Sequence, residues 1–395
     1  MTFGHLLGLV AAPIAFATAA MSAYLLALSL AAFVASRRAP PPGRRTTRFA
    51  VLVPAHNEAS TIGRLLRTLA EQDYPHEFRD VFVVADNCTD ETAHIARSEG
   101  AMVHERTDPE RRAKGHALQW LLQRVRAEAR YDAYVFIDAD SEIDRDFLSR
   151  MDSRLEAGSR VIQSHYSVLN PYTSGTTALR EASLASLHYL RPLGRTALGL
   201  SCGLKGNGMC FAAKTLEMHG WTATGLAEDV ELHLALVRAG IRVDFAHEAA
   251  VRADMPATLR DSRTQNLRWE AGRLAAARRD AVPLLWRGIV TGDAMIADAA
   301  AEQLIPPLSV AVAAATVSGV LAAASGNPAI AIVGLFGAGG LALHVLLGLV
   351  AVRAPLRLYS SLLGAPAYVL WKVALYARAM ATSPAQPWVR TPRDH

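Results

Sequence analysis

Charged residues are missing from two long parts of this chain. The first 36 residues contain no Asp, Glu, Lys or Arg, and the same four residue types are absent from residues 304–352. Most of the charge lies between these parts, within residues 37–280. The overall composition, 51% hydrophobic and 19% charged residues, is therefore the average of an apolar portion and a polar portion.

Cysteine and concentrated positive charge are also scarce. The three cysteines, Cys88, Cys202 and Cys210, are odd in number and lack the spacing of metal ligands, so we expect reduced thiols in a cytosolic compartment. The formal net charge is only +5, and no run of basic residues alternates with aromatic ones. We therefore expect no nucleic-acid partner.

The first apolar segment, residues 5–35, exceeds the roughly 20 residues that cross a bilayer core. It predicts a transmembrane helix within residues 1–36. A cleaved signal peptide is the alternative, but the segment lacks a basic n-region and is longer than an h-region. Basic residues follow it directly, and they place the linker 37–48 in the cytoplasm and the N-terminus outside. These residues are Arg37, Arg38, Arg44 and Arg45.

Residues 304–352 predict a transmembrane helical hairpin. Its two apolar segments are residues 304–324 and 329–352, separated by the turn cluster Ser325-Gly326-Asn327-Pro328. The second segment is rich in Gly and Ala, as is common where membrane helices pack closely. Arg353 and Arg357 follow the hairpin and agree with a return to the cytoplasm.

Two further segments mix apolar and charged residues. Residues 281–303, and part of the stretch 353–395, predict helices that lie in the membrane interface, the latter followed by a cytoplasmic tail. For residues 358–381 a fourth membrane span remains the alternative, with Lys372 snorkelling towards the headgroups.

The polar part, residues 49–280, alternates strand and helix patterns. Continuous apolar runs at 49–53, 81–84 and 134–137 predict buried strands, and residues 101–104 predict a short strand. Between them we predict a helix capped by Ser60, one capped by Asp90, and one over residues 114–128. This order predicts an α/β fold with a mostly parallel, Rossmann-like sheet, flanked by transmembrane and interfacial helices.

Polar residues stand at the ends of three predicted strands. These groups are His56-Asn57-Glu58, Asp86-Asn87 and Asp138-Ala139-Asp140. Ligands of open α/β sheets bind beyond the carboxyl ends of the strands, so the carboxylates are expected to converge on a cation or a hydroxyl-rich ligand. The Asp138 and Asp140 pair suits Mg²⁺ or Mn²⁺ that also holds a diphosphate.

These motifs and later ones resemble, in order, those of family 2 glycosyltransferases. The later motifs are Gly206-Asn207-Gly208, Glu228-Asp229 and Gln265-Asn266-Leu267-Arg268-Trp269. The last is similar to the Gln-x-x-Arg-Trp signature of membrane synthases that make cellulose, chitin or hyaluronan. The resemblance spans about residues 49–270 and implies an inverting enzyme with the GT-A fold.

The resemblance also implies roles for residues on the donor side. Asp86, with Glu58 and Lys114 nearby, would contact the base or ribose of a nucleotide-sugar, expected to be a uridine nucleotide. Asp138 and Asp140 would handle the diphosphate, with Asp140 as the direct ligand of Mg²⁺ or Mn²⁺. Gln265 and Arg268 would bind the diphosphate as well.

On the acceptor side, the resemblance implies that Asp229 is the general base that takes the proton of the attacking hydroxyl. Trp269 would stack on an acceptor sugar, and Gly206, Asn207 and Glu228 would lie beside the acceptor. Plainer interpretations stay open. In these, Asp229 serves only the dipole of its helix, Trp269 anchors the domain to the lipid interface, and Gly206-Asn207-Gly208 is a tight turn.

The leading hypothesis is a metal-dependent, inverting glycosyltransferase in a bacterial-type inner or plasma membrane, with its catalytic domain in the cytoplasm. Its partners would be a nucleotide-sugar, membrane lipids, and a lipid-linked or polysaccharide acceptor. The few predicted spans argue against a polymer channel in one subunit, although a homo-oligomer would complete one. The alternatives are a sugar-phosphate transferase or nucleotidyltransferase, and a non-enzymatic transporter or scaffold.

Overall fold

The computed structural model describes residues 3–34, 39–128 and 130–381. The predictions for Arg37, Arg38 and the basic tail beyond residue 381 lie outside these ranges. The first helix, α1 (Phe3–Val34), has 32 residues, which gives a length of about 48 Å at 1.5 Å per residue. This length exceeds the roughly 30 Å of a bilayer core.

One eight-stranded sheet forms the centre of the polar part, in the strand order β3-β2-β1-β4-β7-β6-β8-β5. The strands are β1 (Phe49–Ala55), β2 (Arg79–Asp86), β3 (Met102–Arg106), β4 (Ala133–Phe136), β5 (Ser141–Ile143), β6 (Val161–Val168), β7 (Met209–Ala212) and β8 (Val243–Ala253).

Parallel pairing predominates in this sheet. Strand β1 pairs in parallel with β2 and β4, β2 with β3, and β6 with β8. Strand β7 runs antiparallel to both β4 and β6, and β5 runs antiparallel to β8. The predicted α/β fold with a mostly parallel sheet is confirmed, and each of the four predicted strands overlaps an observed one.

Nine helices described in the polar part cover the sheet and connect its strands. They are α2 (Ile62–Ala70), α3 (Thr92–Ser98), α4 (Lys114–Glu128), α5 (Phe147–Glu156), α6 (Gly175–Leu184), α7 (Arg191–Ala197), α8 (Ala213–His219), α9 (Glu228–Arg238) and α10 (Ser262–Ala276). Two buried apolar clusters, one including Phe136 and Phe211 and the other Phe49 and Phe147, form the core.

Both predicted helix caps were wrong by one residue. The N-cap of α2 is Thr61 rather than Ser60, and the N-cap of α3 is Glu91 rather than Asp90. Oδ1 of Asp90 nevertheless accepts a hydrogen bond of 3.1 Å from the backbone N–H of Thr92, the first residue of α3. The helix predicted over residues 114–128 is α4.

The remaining helices follow α10 in the chain. They are α11 (Val282–Thr291), α12 (Ala294–Leu304), α13 (Leu308–Ala324), α14 (Pro328–Ala351), α15 (Leu356–Ser361) and α16 (Ala365–Ala381). Helix α1, helix α14 and the stretch 356–381 are each long and apolar enough to cross a membrane, and α12 with α13 would form a fourth span bent by 71°.

The segment predicted as one interfacial helix, residues 281–303, consists of two helices. Gly292 ends α11 in a left-handed conformation, and Asp293 caps α12 by accepting a bond of 3.0 Å from the N–H of Ile296. Two acidic residues of α12, Asp298 and Glu302, are buried against Arg195. Their charges are therefore directed into the protein.

Lys372 of α16 does not snorkel. Its Nζ lies 2.8 Å from Oε1 of Glu270 and donates a bond of 2.7 Å to Oδ1 of Asn266, both in α10. Its side chain is only 6% exposed. The predicted snorkelling of Lys372 towards the headgroups is therefore wrong. The ion pair with Glu270 holds α16 against α10 instead.

Candidate active site

A cavity of about 680 Å³ extends from the carboxyl ends of β1, β2 and β4 to α13, α14 and α16. We call its polar side the carboxylate end, lined by Glu58, Asp86, Lys114, Asp138, Asp140, Glu228 and Asp229. We call the opposite side the apolar end, lined by Leu308, Val312, Ala342, Val345, Leu346 and Val369.

Two asparagines bend the chain where it leaves the first two strands. Asn57 lies two residues after β1 and Asn87 directly after β2, with φ values of 56° and 51°. Asparagine tolerates this left-handed region better than most residues. Oδ1 of Asn57 also accepts a bond of 2.8 Å from the N–H of Thr89, so the two loops hold each other at the edge of the cavity.

Lys114, the first residue of α4, joins three motifs of the carboxylate end. Its Nζ lies 2.5 Å from Oδ1 of Asp138, 2.5 Å from the carbonyl oxygen of Gly206 and 3.5 Å from Oε1 of Glu228. Burial acts to lower the pKa of Lys114, but the carboxylates of Asp138 and Glu228 raise it above its ordinary value. The lysine is therefore a fixed cation.

Burial raises the pKa of Asp138, and Lys114 opposes that rise. The position of Asp138 depends on Asn207, because Oδ1 of Asn207 accepts a hydrogen bond of 3.1 Å from the backbone N–H of Asp138. Asn207 also donates a bond of 2.9 Å to Oγ of Ser141. Because Asn207 is fully buried, the structure places it beneath the Asp138-Ala139-Asp140 turn.

Gly206 and Gly208 have positive φ values of 77° and 68°, a region that favours glycine. A Cβ atom on Gly208 would overlap the side chain of Ser164, and one on Gly206 would lie 3.6 Å from Oδ2 of Asp229. The Gly206-Asn207-Gly208 motif is thus a tight turn, and it also brings backbone against Asp229.

Glu228 and Asp229 occupy the first turn of α9, where negative charge interacts favourably with the helix dipole. Oδ1 of Asp229 accepts a bond of 2.9 Å from the N–H of Val230. Burial raises the pKa of Asp229, and this N–H together with Lys114 and Lys205 opposes the rise. Both carboxylates are therefore placed favourably against the dipole of α9, and both side chains also line the cavity.

Asp86 and Glu58 lie at the edge of the cavity that β1 and β2 form. Oδ1 of Asp86 lies 2.5 Å from Nη1 of Arg106, whose Nη2 lies 2.8 Å from Asp108. Oε2 of Glu58 accepts a bond of 2.8 Å from the hydroxyl of Thr61. Arg106 was missed by the sequence argument, because only the pairing of β3 with β2 brings it beside Asp86.

The carboxylate end fits a divalent cation only together with a substrate. Within residues 3–34, 39–128 and 130–381, no group of three His, Cys, Asp or Glu side chains is arranged to hold a metal. Asp138 and Asp140 both reach the cavity, and Mg²⁺ is commonly held by one or two carboxylates plus substrate phosphates. Two carboxylates with a diphosphate make a suitable oxygen set.

Helix α10 presents Gln265, Arg268 and Trp269 to the cavity. The guanidinium of Arg180 lies 5.4 Å from the centre of the Trp269 ring. Oε1 of Gln265 is buried and has no hydrogen-bond partner among the described residues. The other side of α10 carries Asn266, which also accepts a bond of 2.8 Å from Arg180. The sequence argument missed Asn266 and Arg180.

The family model described as "Glycosyltransferase like family 2" matches residues 46–272, more than half of the chain. This chain belongs to that glycosyltransferase family. The matched range contains every predicted site residue, from Glu58 to Trp269.

Curated relatives of this glycosyltransferase match over shorter stretches. It is 27% identical over 202 residues to the beta-monoglucosyldiacylglycerol synthase of Synechocystis, a match that covers 49% of this chain and 42% of that protein. It is 40% identical over 93 residues to the 4,4'-diaponeurosporenoate glycosyltransferase of Staphylococcus aureus, which is 23% of each chain. The glycosyltransferase thus aligns with less than half the length of either relative.

Among solved structures, a mannosyltransferase from Pyrobaculum calidifontis in complex with GDP-Man and Mn²⁺ is similar to this glycosyltransferase, with a TM-score of 0.53. The identity is 20%, over 88% of this chain and 98% of the mannosyltransferase. This likeness shows the shared fold.

Proposed function

We propose that this glycosyltransferase moves a sugar from a nucleotide-sugar to a membrane-linked acceptor, with inversion at the anomeric carbon. The observation that carries the proposal is the single cavity that joins the carboxylate end to the apolar end. A nucleotide diphosphate requires charged and polar partners, whereas a lipid tail requires apolar walls. The name of the Synechocystis relative also specifies a diacylglycerol product.

At the carboxylate end, Asp86 and Glu58 would bind the nucleoside, and Lys114 would stay near the donor as a fixed cation. Asp140 and Asp138 would hold Mg²⁺ or Mn²⁺, which offsets the charge on the departing nucleotide diphosphate. Gln265 and Arg268 would add contacts to the diphosphate. A contact from Gln265 to phosphate oxygens would come from its Nε2 amide, because its buried and unpaired Oε1 can only accept a hydrogen bond.

Asp229 would act as the general base. Its carboxylate takes the proton from an acceptor hydroxyl while that oxygen attacks the anomeric carbon from the face opposite the diphosphate. The new C–O bond forms as the bond to the phosphate oxygen breaks, and the nucleotide diphosphate leaves with that electron pair. Trp269, packed against Arg180, would stack on the acceptor sugar or headgroup.

The domain boundaries that accompany this proposal are those expected from the sequence. Residues 1–36 and the hairpin 304–352 would span the membrane. Residues 37–48 would form the linker to a cytoplasmic catalytic domain, residues 49–280. Residues 281–303 would lie in the membrane interface, and residues 353–395 would form an interfacial helix and a cytoplasmic tail. The apolar lengths of α1 and α14 support this arrangement. The bent pair of helices α12 and α13 would supply the other membrane span of the hairpin.

The test is transfer by the purified full chain in detergent. It would be incubated with a panel of nucleotide-sugars and Mn²⁺, with lipids extracted from the membrane as acceptors. Release of nucleotide diphosphate and a sugar-bearing lipid in the mass spectrum are expected. Nucleotide monophosphate as the product would instead identify a sugar-phosphate transferase.

Two variants make the test specific. Asp140→Ala should abolish release, whereas Asp73→Asn, on a surface carboxylate that is 53% exposed, should not change it. No release from any donor, or equal release in Asp140→Ala, would overturn the proposal.

A further inference from the structure

Lys205 is a cavity-lining lysine whose charge is not paired. Its ammonium forms no hydrogen bond or ion pair with any residue in the part of the chain that the structure describes. Its backbone, by contrast, is fixed, because its N–H donates a bond of 2.8 Å to Oε1 of Gln163. Other lysines of the cavity do have partners, Lys114 with Asp138 and Lys372 with Glu270.

Lys205 lies in the neighbourhood of Asp229. A Cβ atom on the residue that follows it, Gly206, would lie 3.6 Å from Oδ2 of Asp229 and 3.7 Å from Nζ of Lys114. The ammonium of Lys205 itself lies near Gly203, because a Cβ atom there would be 3.4 Å from it. Lys205 therefore lines the cavity close to the proposed general base.

The acidic groups of α12 are already paired with arginines. Arg195 lies 2.8 Å from Asp298 and 2.5 Å from Glu302, and Arg191 lies 3.5 Å from Glu302. Neither of these two carboxylates forms an ion pair with Lys205. A partly buried ammonium without a counter-ion is unfavourable unless a ligand supplies one.

We infer that Lys205 binds an oxyanion of the lipid acceptor, a phosphate or a carboxylate, near the hydroxyl that attacks the sugar. This inference rests on the proposed function, because it names the acceptor of the same cavity. The acceptor's tail then lies along the apolar end, its anionic group is held by Lys205, and its hydroxyl faces Asp229. Lys205 is thereby a residue that selects anionic over neutral lipids.

The test measures binding without any nucleotide-sugar, so its outcome does not depend on whether transfer occurs. Three probes with one pyrene-labelled tail would be titrated into the full chain in detergent: a fatty acid, its methyl ester and a phosphatidic acid. Energy transfer from tryptophan to pyrene reports occupancy, since Trp269 lines the cavity. The ester matches the fatty acid in shape and lacks its charge.

Lys205→Met should weaken binding of at least one anionic probe about tenfold, the size expected for a lost hydrogen bond to a charged group. Binding of the methyl ester should stay unchanged. Lys205→Arg should retain most of the affinity, and Lys214→Met, on an exposed lysine of α8, should behave as the unmodified chain. The anionic probe that loses affinity identifies the oxyanion as carboxylate or phosphate.

Two outcomes would overturn the inference. Equal weakening of the ester and the acids would show that Lys205 supports the shape of the cavity. Unchanged binding of both acids would show that the ammonium has no ligand there. A role of Lys205 only in tuning Asp229 would leave all three affinities unchanged and move the acid limb of the pH–rate profile.

Discussion

The two ends of the cavity are built in opposite ways. At the carboxylate end, nearly every functional side chain is fixed by a partner, as Asp138 is by Lys114 and Asn207. At the apolar end, the walls are aliphatic side chains of α13, α14 and α16, without directional bonds to a ligand. The carboxylate end is suited to one ligand geometry, whereas the apolar end is suited to lipid tails of different structure.

The largest effect is expected from removing the proposed general base. Asp229→Asn should lower kcat by about 10³-fold, within the range for general-base catalysis, because an amide cannot take the proton of the acceptor hydroxyl. Affinity for the nucleotide diphosphate, measured by calorimetry, should remain. Full transfer by this variant would remove Asp229 from the mechanism even if the rest of the proposal holds.

Removing divalent cations should have the next largest effect. Chelation with EDTA should lower transfer on the order of 100-fold, equivalent to about 3 kcal/mol of lost charge stabilisation, and Mn²⁺ should restore it. Asp140→Asn should raise the Mn²⁺ concentration needed for half-maximal rate. Activity that is indifferent to EDTA would show that the carboxylate end works without a metal.

A bulky residue at the apolar end should affect the acceptor alone. Val345→Trp should raise the acceptor KM about tenfold for a long-chain lipid, because the ring occupies space that the tail needs. The KM of the nucleotide-sugar should not change. Leu343→Trp, on the outward side of α14 where Leu343 is 46% exposed, is the matched control. If both variants behave alike, the apolar end does not hold the acceptor.

The smallest effect is a displacement of the pH profile. Burial raises the pKa of Asp229 above that of an ordinary aspartic acid, and only the ionised form is a base. Activity should therefore fall as the pH drops through this raised pKa, so the acid limb of kcat/KM should lie above the ordinary pKa of an aspartic acid. Asp229→Asn should lose the limb. A limb at the ordinary aspartate value would contradict the raised pKa.

The first half of the sheet could be predicted from the sequence, and the second half could not. Strands β1, β2 and β4 are continuous apolar runs, so their pattern is unambiguous. Strand β6 contains Gln163, Ser164 and His165 in its middle, so its sequence lacks the apolar run that predicts a buried strand. Burial of Gln163 is possible because its side chain bonds to a neighbouring loop: it donates a bond of 2.7 Å to the carbonyl of Asn207 and accepts one of 2.8 Å from the N–H of Lys205.

For the candidate site, the motifs identified side chains that line the cavity but not the contacts that hold them in place. Neither Arg106 beside Asp86 nor Asn207 beneath Asp138 follows from local spacing. Each contact joins residues 20 or more positions apart, and only the pairing of strands brings them together. The roles expected for the cavity-lining residues stay predictions until the variants above are measured.

The contact between α10 and α16 has a practical consequence for anyone who wishes to produce the catalytic part in water. A chain that stops at residue 280 would keep Glu270 and Asn266 but lose Lys372, their partner. Removing α16 would also uncover the face of α10 that these two residues share, so that face would meet water in a chain cut at this point. A shortened enzyme that is meant to keep the face covered therefore has to retain α16.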